Sequence, residues 1–223
     1  MVYKSFNIIG DPDVIGVKNG VTQIEIDKNN FKSEKALDDF HLSFPEDPKR
    51  DIEVIHPLKY KLLKGGKIND FMFYGYYIKA IPFIISEKGL KVMQSHSLME
   101  FSLLDVEINN YKSEAKFYLF RYPFIELQQV EFKDSLIYTG NNLIGKKYYE
   151  LNSYEDFVEL KKSIKTSLLF EKVVLKKLDN TVDFVRLRGV GEFISPKLEQ
   201  EFICRNISGP QIGRPNSPIL EFK

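Results

Sequence analysis

The sequence predicts an α+β fold, a mixed and largely antiparallel sheet arrangement with about three to four short helices. Three observations lead there. Short runs that suit strands outnumber runs with helical spacing. The two kinds alternate irregularly, without the strand–helix–strand rhythm that builds a parallel sheet. One design also occurs twice, at residues 80–108 and more weakly at 192–212: a strand ends in Ser, a short amphipathic helix follows, and the chain becomes extended again.

The first of these modules, AIPFIISEKGLKVMQSHSLMEFSLLDVEI, organises the chain. Its apolar run Ile81 to Ile85 stops at Ser86, whose hydroxyl can accept a hydrogen bond from an unpaired N–H of the next turn. Glu87 places a negative charge in that turn, where the helix dipole favours it. Leu90, Met93 and Ser97 share a helical stripe, and beyond Leu98 the period changes to two. In the second module Phe193-Ile194 precede Ser195, Pro196 takes the first helical position, and Leu198, Phe202 and Ile203 form the apolar face. Proline suits that position because its missing N–H would be unpaired anyway.

The remaining elements follow from local chemistry. Residues 2–9 suit a first strand, and Gly10-Asp11-Pro12-Asp13 a turn. Residues 21–27 alternate as a half-buried strand does, and Ser33 caps a short helix over 34–41. Prolines interrupt 43–51, and 52–55 and 58–63 each suit a strand or a helical turn. Residues 68–77 are rich in Phe and Tyr. The run 115–125 is apolar on both faces and predicts a covered strand. Short strands are expected at 127–132 and 135–139, with turns at Asn141-Asn142 and Gly145-Lys146-Lys147. Ser153 caps a helix over 154–165, with Asp156 three residues on and Phe157, Leu160 and Ile164 facing inward. Residues 168–178 and 182–188 extend on either side of Asp179-Asn180. The proline-rich tail predicts an edge strand around Ile219 and Phe222. The best seam in the chain is 65–70, dividing a β-rich part, 1–67, from an α+β part, 68–223.

Bulk properties bound the function. The 223 residues carry 32 Lys and Arg against 31 Asp and Glu, so no whole-protein field points to nucleic acid or an anionic membrane. Residues 1–57 hold eleven acidic and seven basic side chains, a mild dipole that suits solvated loops or, more sharply, a basic partner. Cys204 is the one cysteine, which excludes an internal disulfide and fits a reducing compartment. No signal sequence opens the chain, and the apolar runs fall far short of the roughly 20 residues needed to cross a bilayer. A cytoplasmic protein is expected.

Catalytic motifs fail on spacing. Gly65-Gly66-Lys67 is followed by Ile68 and lacks the first glycine of a phosphate loop, so it reads as a turn. Gly189-Val190-Gly191 has no third glycine and reads as a bend before a strand. His41, His56 and His96 stand too far apart in sequence to suggest a zinc pair. Cys204 shows no adjacent base and reads as a buried or half-buried structural thiol. Asp38-Asp39 and Glu46-Asp47 read as solvated carboxylates, and the lysines from Lys161 to Lys177 as a solvated face. No catalytic, cofactor-binding or metal site is expected. For partner contact, Tyr74, Tyr76 and Tyr77 lead, since one ring offers apolar area and a hydrogen bond. Asp38, Asp39, Glu46 and Asp47 join them as the acidic surface.

FIISEKGLKVM with MEFSLLDVEI resembles the first half of a bacterial family of unknown-function domains assigned as immunity proteins of polymorphic-toxin systems. DFVRLRGVGEFISPKLEQEFICRNISGPQI resembles that family's close, with Ser195, Leu198, Phe202 and Ser208-Gly209 in place. VEFKDSLIYTG resembles its central acidic-then-Ser segment, at Asp134-Ser135. The resemblance covers about residues 68–212. It implies a non-enzymatic protein that binds a cognate toxin domain stoichiometrically and neutralises it, without cofactor, nucleic acid or membrane. The alternative is a small structural or scaffold protein, phage- or secretion-associated, that acts by self-association.

Overall fold

The computed structural model describes residues 1–18, 22–32, 57–73, 83–112, 114–176 and 182–223. The chain forms two compact units. The first comprises Met1–Phe6, Ile125–Glu199 and Ile212–Lys223, and the second comprises Asn7–Phe124 and Gln200–Gln211. The fold is α+β, with two mixed sheets and four short helices among the described residues.

The sheet of the second unit is built from β2 (Ile24–Ile26), β3 (Leu58–Leu62), β4 (Phe71–Met72), β5 (Phe83–Ser86), β6 (Ser102–Ile108) and β7 (Phe117–Arg121). Its order is β2-β3-β6-β7-β5-β4. Neighbours are antiparallel except β3 and β6, which run parallel. Ile24, Leu58, Tyr60, Met72, Ile84 and Leu119 are completely buried at its core. This unit also holds a one-turn helix, α1 (Pro12–Ile15), capped by Asp11 and closed by Gly16 in the left-handed conformation. Helix α2 (Glu87–Gln94) follows β5 and buries Leu90, Val92 and Met93.

The sheet of the first unit uses β1 (Val2–Ile8), β8 (Leu136–Asn141), β9 (Gly145–Tyr149), β10 (Leu169–Leu175), β11 (Phe184–Leu187), β12 (Gly191–Ile194) and β14 (Ile219–Phe222). Its order is β11-β12-β1-β14-β10-β8-β9, with a short extra strand, β13 (Pro210–Ile212), off this path beside β1. Helix α3 (Tyr154–Ser163) is capped by Ser153 and drops Phe157 onto Phe132 and Phe170, at ring separations of 5.5 and 5.8 Å. Helix α4 (Pro196–Cys204) follows β12.

Five strands of each sheet share one topology: β11-β12-β1-β14-β10 repeats β4-β5-β7-β6-β3. Phe71 stands opposite Ile85 as Phe184 stands opposite Ile194. Ile85 faces Tyr118 as Ile194 faces Lys4. Phe117 faces Val106 as Tyr3 faces Leu220. Val106 lies beside Leu58, in parallel, as Leu220 lies beside Val173. Even the approach to the sheet is repeated. Asp27 N–H donates to Lys59 O at 2.9 Å and Glu131 N–H to Val174 O at 2.7 Å, and each bond leads into a single 3-10 turn. Where the turn closes, Lys59 N–H donates to Asn30 Oδ1 at 2.7 Å and Val174 N–H to Ser135 Oγ at 3.0 Å. The correspondence makes β1 the counterpart of β7. The first strand of the chain thus completes a unit whose other strands come from residues beyond 125.

Several expectations are corrected. Residues 127–132 do not form a strand. They hold two 3-10 turns, Leu127–Gln129 and Phe132–Asp134, joined by a single bridge from Val130 to Leu175. Expected as an edge strand, β14 instead lies between β1 and β10, antiparallel to one and parallel to the other. Pro218 precedes the strand without entering it, so all four of its residues keep their N–H groups for the ladder. Gly145-Lys146-Lys147 is the start of β9 rather than a turn. Helix α3 ends at Ser163, and Ile164 is already extended. Gly189-Val190-Gly191 forms the expected bend, the turn from β11 to β12. The helix expected at 34–41 and the run 52–55 lie outside the described residues.

Candidate functional site

Both modules named by the sequence are built on an Asp–Ser clasp, part-buried in the second unit and buried in the first. In the second unit Ser86 N–H donates to Asp70 O at 2.8 Å, closing β5 onto the residue before β4. Its hydroxyl donates to Asp70 Oδ1 at 2.6 Å and accepts from Gly89 N–H at 3.0 Å. In the first unit Ser195 N–H donates to Asp183 O at 2.8 Å. The Ser195 hydroxyl donates to Asp183 Oδ1 at 2.6 Å and accepts from Leu198 N–H at 3.1 Å. Each serine therefore caps a helix with its lone pair and ties that helix to the neighbouring hairpin with its proton. Sequence reading found the caps because they are local. It missed Asp70 and Asp183, which lie 16 and 12 residues upstream. The recurrent Asp-Phe that opens β4 and β11 was the available signal.

The clasps differ in their surroundings. Burial pushes the Asp70 carboxyl up. Hydrogen bonds from the Ser208 backbone, the Ser86 hydroxyl and the Ser208 hydroxyl, with the Lys88 charge, outweigh it and hold the group below its ordinary value. Ser208 N–H and Oγ donate to Asp70 Oδ2 at 2.9 and 3.0 Å. Near Asp183, Tyr3 donates its hydroxyl to Val182 O at 2.9 Å. Burial first, and the Asp183 charge second, push this phenol up to about 12. Ser135, from the central segment of the resemblance, donates to Glu131 O at 2.8 Å and accepts from Val174 N–H. All three serines are buried and engaged in holding backbone.

The exposed chemistry is elsewhere, on the β8–β9 hairpin of the first unit. Leu136, Tyr138, Tyr148 and Leu169 share one face, since Tyr138 pairs with Tyr148 on one side and Leu169 on the other. Leu136, Tyr148 and Leu169 are 44%, 49% and 43% exposed, and Leu143 and Ile144 at the hairpin tip are 95% and 80% exposed. On the same face Lys146 Nζ lies 2.6 Å from Glu171 Oε2 and 4.4 Å from the Tyr138 ring centre. Tyr148 donates to the same Glu171 oxygen at 2.7 Å. The hydrogen bonds from Lys146 and then Tyr148 hold Glu171 below the usual carboxylate range. The bond to Glu171 in turn raises Lys146 and Tyr148. The opposite face carries Ile137, Thr139, Lys147 and Tyr149, with Lys147 Nζ 5.2 Å over the Tyr149 ring.

Tyr74, Tyr76, Tyr77, Asp38, Asp39, Glu46 and Asp47 all lie outside the described residues, as do His41 and His56. His96 sits at the end of α2, its Nδ1 3.0 Å from Val92 O. Cys204 is corrected. It is exposed, with Gln200 Nε2 3.4 Å from its sulfur, because α4 turns Leu198 and Phe202 inward and leaves Ile203 and Cys204 on the outer side. Ile203, expected on the apolar face, is 61% exposed. Among the described residues no three His, Cys, Asp or Glu side chains stand together as a metal site would require. No described helix is long and apolar enough to cross a membrane. Comparisons with protein-family models, with curated proteins and with solved structures find no match.

Proposed function

We propose that the chain is a non-enzymatic immunity protein that binds and neutralises a cognate bacterial toxin domain. One observation carries the reading. Ser86, Ser135 and Ser195 of the resembling motifs are buried scaffold groups, whereas the chemistry turned to solvent on the β8–β9 hairpin is an apolar sheet face of the kind used to grip another protein. Ser195 is fully buried, so its pairing with Asp183 cannot serve as nucleophile and base toward an outside substrate. A binding protein needs what the Tyr148 face of the hairpin offers: apolar contact around an exposed tyrosine, with Lys146, Tyr148 and Glu171 already paired, so that covering them strands no charge.

The experiment is co-expression with the C-terminal domain of each large protein encoded next to the gene, where that domain is toxic when expressed alone. Rescue of growth, with a stoichiometric complex on size-exclusion chromatography, is the expected result. Unrelieved toxicity with no complex would overturn the reading.

A further inference from the structure

We propose that the open edge of β9 is a docking strand that takes up an acidic, extended segment of a partner protein by β-sheet addition. Among the described strands β9 is paired on one side only, with β8, and ends the sheet. An edge strand presents a row of backbone N–H and C=O groups that a further strand can satisfy.

The repeated pairing sets this edge outside the five strands that the two sheets share. In the second unit the 3-10 turn Lys28–Asn30 is followed by residues 33–56, outside the described structure, and then by β3. In the first unit the matching turn Phe132–Asp134 is followed by β8, β9 and α3 before β10. The pairing core that the two units share, from β10 to β11, is complete without β9. The hairpin lies beyond that shared core, and it carries the most exposed aliphatic pair among the described residues, Leu143 and Ile144.

The side chains of β9 specify the occupant. On the Tyr148 face an added strand extends a surface of Leu136, Tyr148 and Leu169, and apolar residues suit it. Lys146 on that face is already engaged by Glu171 and the Tyr138 ring. On the other face Lys147 is exposed, with the Tyr149 ring as its close contact. A carboxylate opposite it completes an ion pair across the ladder. The partner segment thus alternates apolar and acidic residues. A second copy of β9 is disfavoured by the same charges, because antiparallel self-pairing sets lysines against lysines. Edge lysines commonly guard a sheet against indiscriminate pairing, and here the guard selects by charge.

The proposal rests on the toxin-binding reading for the partner's identity alone. Its test uses the full chain and two synthetic heptapeptides, one alternating glutamate with valine and one alternating lysine with valine. Binding is read by fluorescence anisotropy, and its position by hydrogen exchange of the 145–149 amides. The acidic peptide should bind at least about tenfold more tightly than the basic one and slow exchange in β9. Lys147→Glu should invert that preference and Lys147→Ala abolish it, both with unchanged circular dichroism. Equal binding of the two peptides, no binding, or protection away from β9 would overturn the assignment. So would a dimer that Lys147→Glu tightens, or sedimentation with phosphatidylserine vesicles that Leu143→Asp abolishes, since these give the hairpin to a second copy or to a membrane. Peptide docking without growth rescue removes the toxin reading and leaves the edge assigned. Rescue that persists in Lys147→Glu without docking does the reverse.

Discussion

Replacing Ser195 by alanine removes two bonds at once. The hydroxyl donates to Asp183 at 2.6 Å in a buried setting and caps Leu198 N–H. Loss of an N-cap costs about 1 kcal/mol. Loss of a buried hydrogen bond to a charged group adds about 1.5–3 kcal/mol. The expected total is about 2.5–4 kcal/mol, or roughly 5–15 °C in melting temperature for a chain of this length. Ser86→Ala removes the matching pair, but Asp70 keeps both bonds from Ser208 and the Lys88 charge at 3.5 Å. Its clasp is also only part-buried, so the cost should be smaller, about 1–2.5 kcal/mol. Urea unfolding of both variants, followed by circular dichroism, measures the difference. A double-mutant cycle of Ser195→Ala with Asp183→Asn should show coupling of at least about 1 kcal/mol. An additive cycle, or a Ser195→Ala chain within about 0.5 kcal/mol of wild type, would refute the clasp as the fastening of β12 and α4 to the hairpin.

Three further outcomes are expected. Asp70 is held below its ordinary 3.8, so the stability its ion provides is present above that value and lost as pH falls through the lower folded one. The urea midpoint gap between wild type and Asp70→Asn should therefore be widest near neutral pH and shrink in acid; a constant gap contradicts it. Gly209→Ala should destabilise by about 2 kcal/mol or more, because φ is +98° and a Cβ would lie 2.1 Å from Phe71 O; an unchanged melting temperature would show that the close approach is relieved at no cost. A chain lacking residues 1–8 opens a gap between β12 and β14, and it should aggregate unless the peptide of residues 1–8 is supplied during refolding. Soluble truncated chain with native exchange rates in 184–194 would count against β1 as the completing strand.

How far the fold was legible depended on the range of the interactions that make it. Ser86, Ser153 and Ser195 announce helices because a cap reaches two or three residues. The run around Phe117–Arg121 declares a covered strand because both its faces are apolar, and four of its five residues are buried. Around Cys204 and Ile203 the reading failed on angle. Neighbouring helix positions differ by about 100°, so Phe202 facing inward turns Ile203 aside. At 127–132 it failed on competition, since two 3-10 turns and the Glu131 bond to Val174 satisfy backbone that would otherwise seek a strand partner. Of the candidate contact surface, the exposed Tyr148 of β9 and the apolar tip were not distinguished, because exposure is a property of what does not pack.

The sequence by itself determined the class of fold, the strand–Ser–helix modules and their caps, since each rests on contacts within a few residues. Only the tertiary structure decided that Asp70 and Asp183 clasp those serines, and that one topology is built twice. It also decided that β14, a tail with proline before it, lies inside a sheet and that β1 completes it. These are pairings across most of the chain, such as Tyr3 with Leu220. Strand periodicity says which face of a strand is buried, but nothing in it names the partner.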